Sequence, residues 1–449
     1  MAENARIMAV KLLQKLHLSN GYSHILLDNA LSGSAMDDAE RALLSHLVYG
    51  VEERRLTLDY LLTACTDRAL SRLHPCVLEI LRVGAYQLLF MDRIPSSGAV
   101  NEAVKTTRAL KQGQASGFVN GVLRNLDRRK NELLENLGED DAGLAIRYSC
   151  PTELIALWRE AYGEERLHAL LDSINGAPPT ALRLNTLCTT PEKWADFALK
   201  NDIAYTVYPG LSASVCIEDG ISRKKLAKFG NKCYYYQDIA SQLCVKALSP
   251  QKGENLADVC AAPGGKSMTA AQELNDCGRI LCGDIHGEKC DTITKRAAEY
   301  GFHIIQAAAR DASKPCPKPL QGAFDRVICD VPCSGLGVIR RKPEIRYKPL
   351  ADTKDLPELQ YRILEEAAKM VRPGGVLQYS TCTLRPAENE EVTDRFLREH
   401  PEFSPRVLPL EDAFAALAQQ PNWRITLFPS IHGTDGFFIA GFERREEQA

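Results

Sequence analysis

Apolar positions divide this chain into two regimes. Up to about residue 140 they recur at helical spacing. Met8, Leu12, Leu13 and Leu16 share one face. Residues 76–90 are apolar on most sides, with Pro75 at a first-turn position, which predicts a buried central helix. Pro95-Ser-Ser-Gly98 reads as a break, after which one helix is predicted from near Val100 and another from Phe118. The charged stretch 128–141 reads as a solvated helix end and linker. Between Pro151 and about Lys232 the pattern mixes helices at 152–160 and 165–173 with short strand candidates. One of these, 182–187, alternates apolar and polar residues after the turn at Pro178-Pro179.

From Tyr234 onward strands and helices alternate, the signature of a parallel sheet covered on both faces. Strands are predicted at 255–259, 279–284, 303–307, 326–330 and 375–379, with a late strand at 436–442. Helices fall at 267–273, 288–300, 357–371 and 387–399, and Arg372-Pro-Gly-Gly375 is read as the turn before the fifth strand.

A chain of 449 residues exceeds one core and predicts two or three domains. The net charge of −3 excludes a polycation, so any nucleic-acid binding rests on local patches. One candidate is Arg223, Lys224, Lys225, Lys228 and Lys232, a cluster equally readable as a solvated face or as phosphate contacts. No apolar run is long enough for a membrane span and no signal peptide is visible, so a cytoplasmic protein is expected. The fifteen cysteines are scattered and include no CxxC pair. That pattern points to reduced thiols, and against a disulfide framework or a metal site.

The chemistry gathers around Leu256-Ala-Asp-Val-Cys-Ala-Ala-Pro-Gly-Gly-Lys-Ser267, a strand, a tight glycine turn and a helix start. Such a corner lets a ligand approach the backbone closely. Asp284 ends the next strand, where a carboxylate can accept both hydroxyls of a ribose; Asp311 follows the third, and Asp330 ends the fourth. Any one of these acids alone reads as a helix cap, but three in register with the glycine turn imply an adenosine ligand. The turn lacks G-x-G-x-x-G spacing, which favours S-adenosylmethionine over a nicotinamide cofactor. Asp330-Val-Pro-Cys-Ser-Gly-Leu-Gly337 presents Cys333 at the sheet edge, and Gln378-Tyr-Ser-Thr-Cys-Thr-Leu384 places Cys382 just past the next strand. Two cysteines beside a methyl donor suit the methylation of a pyrimidine C5, which is nucleophilic only after a thiolate has added to C6. From the residues alone, either cysteine can be the nucleophile and the other its helper. The nearby basic stretch 339–348 is read as a source of phosphate contacts and positive potential.

These residues carry a resemblance. DVCAAPGGKS, DVPCSGLGV and YSTCTLRPAENEEV, with YQDIASQ (residues 236–242) upstream, resemble the RNA cytosine-C5 methyltransferases of the Nol1/Nop2/Sun superfamily. The helical N-terminus with VNGVLR resembles the antitermination factor NusB, a pairing similar to that of the bacterial Sun/Fmu branch. The resemblance implies a NusB-like RNA-binding domain at 1–140, a small α/β segment like an RNA-recognition fold at 141–232, and a Rossmann-like methyltransferase domain at 233–449. It implies methylation of a cytosine in small-subunit (16S) ribosomal RNA. Cys260, Ala261, Ala262, Pro263, Gly264, Gly265 and Lys266 would line S-adenosylmethionine, with Asp284 on the ribose, Asp311 near the adenine and Asp330 near methyl donor and base. It implies Cys382 as nucleophile and Cys333 as the group assisting product release, whereas DNA cytosine methyltransferases use a Pro-Cys nucleophile. Ser149-Cys150-Pro151 departs from the usual Ser-His-Pro. A monomer is expected.

Overall fold

The computed structural model describes residues 4–19, 21–217, 221, 223–415 and 422–446. The chain forms two compact units, Met1–Ala177 with Ile339–Lys348, and Pro178–Val338 with Pro349–Ala449.

The first unit is helical among its described residues. Helix Pro75–Phe90 is buried along most of its length, including Ile80, Leu81, Ala85 and Leu88. Its neighbours Ala5–Ser19, Asp38–Glu53, Ser96–Ala109 and Ser116–Glu135 close the core around it. Pro75 sits in the first turn, where its missing N–H costs nothing, and His74 Nδ1 accepts the Cys76 N–H at 3.2 Å. Pro95-Ser-Ser-Gly98 is a helix start, not a break: Pro95, at φ −59°, immediately precedes helix Ser96–Ala109. The predicted pair of helices after Pro151 is found within Thr152–Ser173, the two separated at Gly163, whose φ of +77° and ψ of 171° are not helical.

The segment Ile339–Lys348 belongs to this helical unit, and its Arg346 departs from the expectation of phosphate contacts along the stretch. Arg346 is 1% exposed, and its guanidinium donates to the carbonyls of Glu53 (3.2 Å), Ser149 (3.2 Å) and Ile174 (3.1 Å) and to Asn175 Oδ1 (2.9 Å). Glu344 is buried as well, accepting the Ser23 N–H at 3.1 Å and its hydroxyl at 2.8 Å. A guanidinium buried and held by internal acceptors cannot reach a phosphate. These two residues tie the segment down.

The second unit holds two sheets. The smaller is antiparallel in the order β2-β3-β1-β4, with β1 Thr180–Leu184, β2 Tyr205–Val207, β3 Ser214–Ile217 and β4 Tyr234–Tyr236. In the larger, the order is β10-β12-β9-β8-β5-β6-β7, with β11 paired to β12. Its strands are β5 Asn255–Asp258, β6 Arg279–Asp284, β7 Ile305–Ala309, β8 Phe324–Asp330, β9 Val371–Thr381, β10 Phe403–Pro405, β11 Arg424–Leu427 and β12 Phe437–Arg444. Strands β5 to β9 pair in parallel, and β12 joins β9 antiparallel. The central strands are apolar on both sides because helices cover both faces (Leu256, Ile280, Val327 and Leu377 are all fully buried). Arg372-Pro-Gly-Gly375 is not a turn between elements but an irregularity inside β9: Phe324 pairs Val371 and Arg326 pairs Val376, with Gly374 at φ +70°.

The chain runs outward from β5 to β7 on one side and from β8 to β9 on the other. The order therefore reverses between β5 and β8, which puts the ligand crevice of such a sheet beyond Asp258 and Asp330.

Candidate active site

Asp258 closes β5, Gly264 turns the chain at φ +92°, and helix Gly265–Glu273 begins directly after it. A cavity of about 240 Å³ opens over this corner. It is lined by Asp258, Cys260, Ala261, Ala262, Pro263, Gly265 and Lys266, by Asp330 from β8, by Tyr236, Gln237, Asp238 and Ser241, and by Arg296. Of the residues expected around a cofactor, Gly264 forms the turn beneath the cavity without lining it, and Asp284 and Asp311 stand outside its wall. Asp284 ends β6, accepting the His286 N–H at 3.1 Å, with Lys289 Nζ at 3.6 Å. Asp311 caps its own turn by accepting the N–H (3.0 Å) and hydroxyl (2.6 Å) of Ser313, which hold its carboxyl below the usual range.

A half-buried ion pair and one buried carboxyl group organise the cavity. Lys266 Nζ donates to Asp330 Oδ2 at 2.6 Å, and the Ser380 hydroxyl donates to Asp330 Oδ1 at 2.7 Å. Burial alone would lower Lys266, but the Asp330 carboxylate holds its ammonium protonated. Asp258 Oδ2 accepts the Ser267 hydroxyl at 2.6 Å while Oδ1 is buried without a hydrogen-bond partner. Burial, with Asp330 nearby, pushes Asp258 up to about 7. Burial first, and then the carboxylates of Asp258, Asp330, Asp284 and Asp311, push the Cys260 thiol up, so Cys260 stays protonated as part of the wall.

Cys333 and Cys382, 49 residues apart, meet with their sulfurs at 3.3 Å. Strand register explains the meeting. Asp330 pairs Ser380, so the loop leaving β8 and the one leaving β9 emerge side by side. The same pairing joins the thiols to the glycine corner through Ser380, Asp330 and Lys266. The Cys382 sulfur as hydrogen-bond partner, then burial, raises the Cys333 thiol well above its ordinary value.

Residues that sequence reasoning did not single out brace both loops. Glu388, fully buried, accepts the Ser334 N–H and Gln360 Nε2 at 2.9 Å each, fixing the loop that carries Cys333. Asn389, also buried, accepts the Thr381 hydroxyl at 2.6 Å and donates to the Thr383 carbonyl at 3.0 Å, clamping the residues on either side of Cys382. Ser334 and Thr383 join hydroxyls at 2.7 Å. Glu388 and Asn389 lie inside the quoted stretch PAENEEV; the available signal was two polar residues just ahead of an amphipathic helix. Gly337 and Gly436 complete the site, with Gly337 N–H on the Cys382 carbonyl and Gly436 N–H on the Gly337 carbonyl, both at 2.9 Å.

The comparisons bear on this arrangement. Residues 245–443 match the family model described as 16S rRNA methyltransferase RsmB/F, and residues 3–128 match that of the NusB family. A probable ribosomal RNA small subunit methyltransferase B of Bacillus subtilis (strain 168) is 33% identical over 450 residues, covering 98% of this chain and 99% of that protein. The chain belongs to the RsmB/F methyltransferase family. A second member, from Synechocystis sp., is 32% identical over 443 residues, covering 98% of this chain and 99% of its own. Among solved structures, PH0851 has the same fold, with a TM-score of 0.82 at 22% identity over 99% of this chain and 100% of that one. A methyltransferase homolog from Pyrococcus horikoshii has a TM-score of 0.59 at 25% identity, covering 69% of this chain and 100% of its own. The fold class is thereby established: a helical NusB-like N-terminal region followed by a Rossmann-like α/β methyltransferase sheet. Among the described residues no helix is long and apolar enough to cross a membrane.

Proposed function

We propose that this RsmB/F member transfers a methyl group from S-adenosylmethionine to C5 of a cytosine in small-subunit ribosomal RNA, through a covalent bond from Cys382 to C6. The observation that carries the reading is the pair of thiols 3.3 Å apart at the sheet edge that also bears the glycine-corner cavity. The names of the B. subtilis and Synechocystis relatives favour the RNA substrate.

The cavity fits a sulfonium nucleoside. It offers a glycine-turn backbone and two buried, unpartnered polar atoms, the acceptor Asp258 Oδ1 and the donor Gln237 Nε2. Bound S-adenosylmethionine supplies an electrophilic methyl group. Cys382, as thiolate, adds to C6 of the cytosine; the C5=C6 bond opens and C5 becomes nucleophilic. Once C5 has taken the methyl group, loss of its proton to a base expels the sulfur and restores the double bond. The two sulfurs, 3.3 Å apart, are close enough to pass a proton between them, which supports one thiol as nucleophile and the other as the partner in release, here Cys382 and Cys333. Asp330, fixed by Lys266 and Ser380, presents a carboxylate towards the cofactor and base. Asp284 for the ribose and Asp311 for the adenine belong to the same proposal, as does the division at 1–140, 141–232 and 233–449.

Mapping 5-methylcytosine in small-subunit ribosomal RNA, from cells with and without the gene, tests the reading. One cytosine is expected to lose its mark, and an unchanged map, with the mark missing from transfer RNA instead, would move the substrate. A second expectation concerns pH. Asp258 passes from acid to carboxylate as pH rises through about 7, and a carboxylate attracts a cationic ligand. Affinity for S-adenosylmethionine should therefore rise by about tenfold from pH 6 to 8. Asp258→Asn, measured by titration calorimetry, should flatten that rise; an equally steep profile in the variant would remove Asp258 from the interaction.

A further inference from the structure

The basic cluster at 223–232 has no part in the chemistry above, yet it stands beside an aromatic ring at the cavity's rim. Tyr236 ends β4, an edge strand of the small sheet, and is 48% exposed. The Arg223 guanidinium stands 6.0 Å from its ring centroid, and the Tyr234 ring holds it edge-on at 6.1 Å. Arg223, Lys224, Lys228 and Lys232 are exposed, and no acidic residue occurs from 223 to 237. The patch is thus locally opposite in sign to a chain of net charge −3. On its other side Tyr236 lines the cavity together with Lys266 and Asp330.

An exposed ring with cations along one side matches what an unpaired nucleotide requires, a π-face for the base and positive charge for the phosphates. We propose that Tyr236 is the stacking platform for an unpaired RNA nucleotide adjoining the target cytosine, its phosphates held by Arg223, Lys224, Lys228 and Lys232. This rests on the RNA reading above and adds a subsite to it. The target strand then arrives single-stranded over β4, with one stacked base fixing its register before the cytosine meets Cys382.

The test uses the full chain free of cofactor and a fluorescein-labelled single-stranded RNA of about 12 nucleotides, followed by anisotropy. Tyr236→Ala should weaken binding by about 5- to 100-fold, whereas Tyr236→Phe, which keeps the ring, should bind like the parent. Arg223→Ala/Lys228→Ala, both at exposed positions, should bind more weakly and lower the log–log salt slope by about 1.4, for two phosphates lost. A duplex of the same length should be insensitive to Tyr236→Ala, because its bases are already stacked. The proposal is overturned if Tyr236→Ala binds the single strand as tightly as the parent, if single strand and duplex lose equally, or if only affinity for S-adenosylhomocysteine falls. A parent chain that binds no RNA would remove the function reading itself, a result distinct from all of these.

Discussion

Cys382→Ser is expected to lower methyl transfer by about 10³-fold or more and to leave no covalent RNA adduct, whereas Cys333→Ala accumulates the adduct. A serine hydroxyl at neutral pH offers almost no anion to add to C6, and the aromatic pyrimidine does not yield to a neutral alcohol. The Cys333 sulfur lies 3.3 Å from that of Cys382, on a different loop, and burial still raises its thiol once Cys382 is gone, so it is poorly suited to replace the lost nucleophile. Losing Cys333 removes the proton donor beside the Cys382 sulfur, which slows the release step and traps the product. Denaturing gels with radiolabelled RNA read both results at once. The opposite pattern, an adduct in Cys382→Ser and none in Cys333→Ala, would assign the Pro-Cys residue as nucleophile. An adduct-free and fully active Cys333→Ala protein would remove it from release.

Gly337→Ala should be nearly as damaging, though it changes no reactive atom. A Cβ at Gly337 would lie 1.9 Å from the Gly436 carbonyl oxygen and 2.8 Å from that of Cys382. All are backbone atoms, so no side chain can swing aside. The loops must part instead, breaking the hydrogen bonds that join Gly337 to Cys382 and to Gly436. Overpacking and two lost hydrogen bonds together cost about 3 kcal/mol or more. Displacing Cys382 by about 1 Å costs a further ~10²-fold in rate. Gly287→Ala is the matched control, since a Cβ there meets nothing within 4 Å. Thermal unfolding and methylation rate should both separate the two variants. A Gly337→Ala protein as stable and active as Gly287→Ala would mean that the contact between these loops is dispensable.

Much of this site was visible before folding was considered. The alternation of strands and helices after Tyr234 gave β5 and β6 within a residue of their observed ends, because strands buried on both faces are continuous apolar runs bounded by turns. The glycine corner and the two cysteine loops were equally visible, since tight turns and strand ends depend on residues adjacent in sequence. Misreadings arose where a local signal had two structural solutions. Pro95-Ser-Ser-Gly98 can end a helix or begin one, and Arg372-Pro-Gly-Gly375 can close a turn or kink a strand. Arg346 is the sharpest case. In a run of cations it reads as a phosphate contact, but it is buried among carbonyls contributed by residues 53, 149 and 174.

By itself, then, the sequence determined the element order, the α/β class of the larger sheet, and which residues would stand at the carboxyl ends of its strands. Periodicity and turn chemistry are short-range, and a single chain displays them openly. Only the tertiary structure decided that Lys266 pairs with Asp330, that Glu388 and Asn389 brace the two cysteine loops, that Gly337 presses on Gly436, and that Tyr236 stands at the cavity's rim. Most of these contacts join residues dozens of positions apart through strand register, and register is set by the packing of the whole sheet rather than by any one segment.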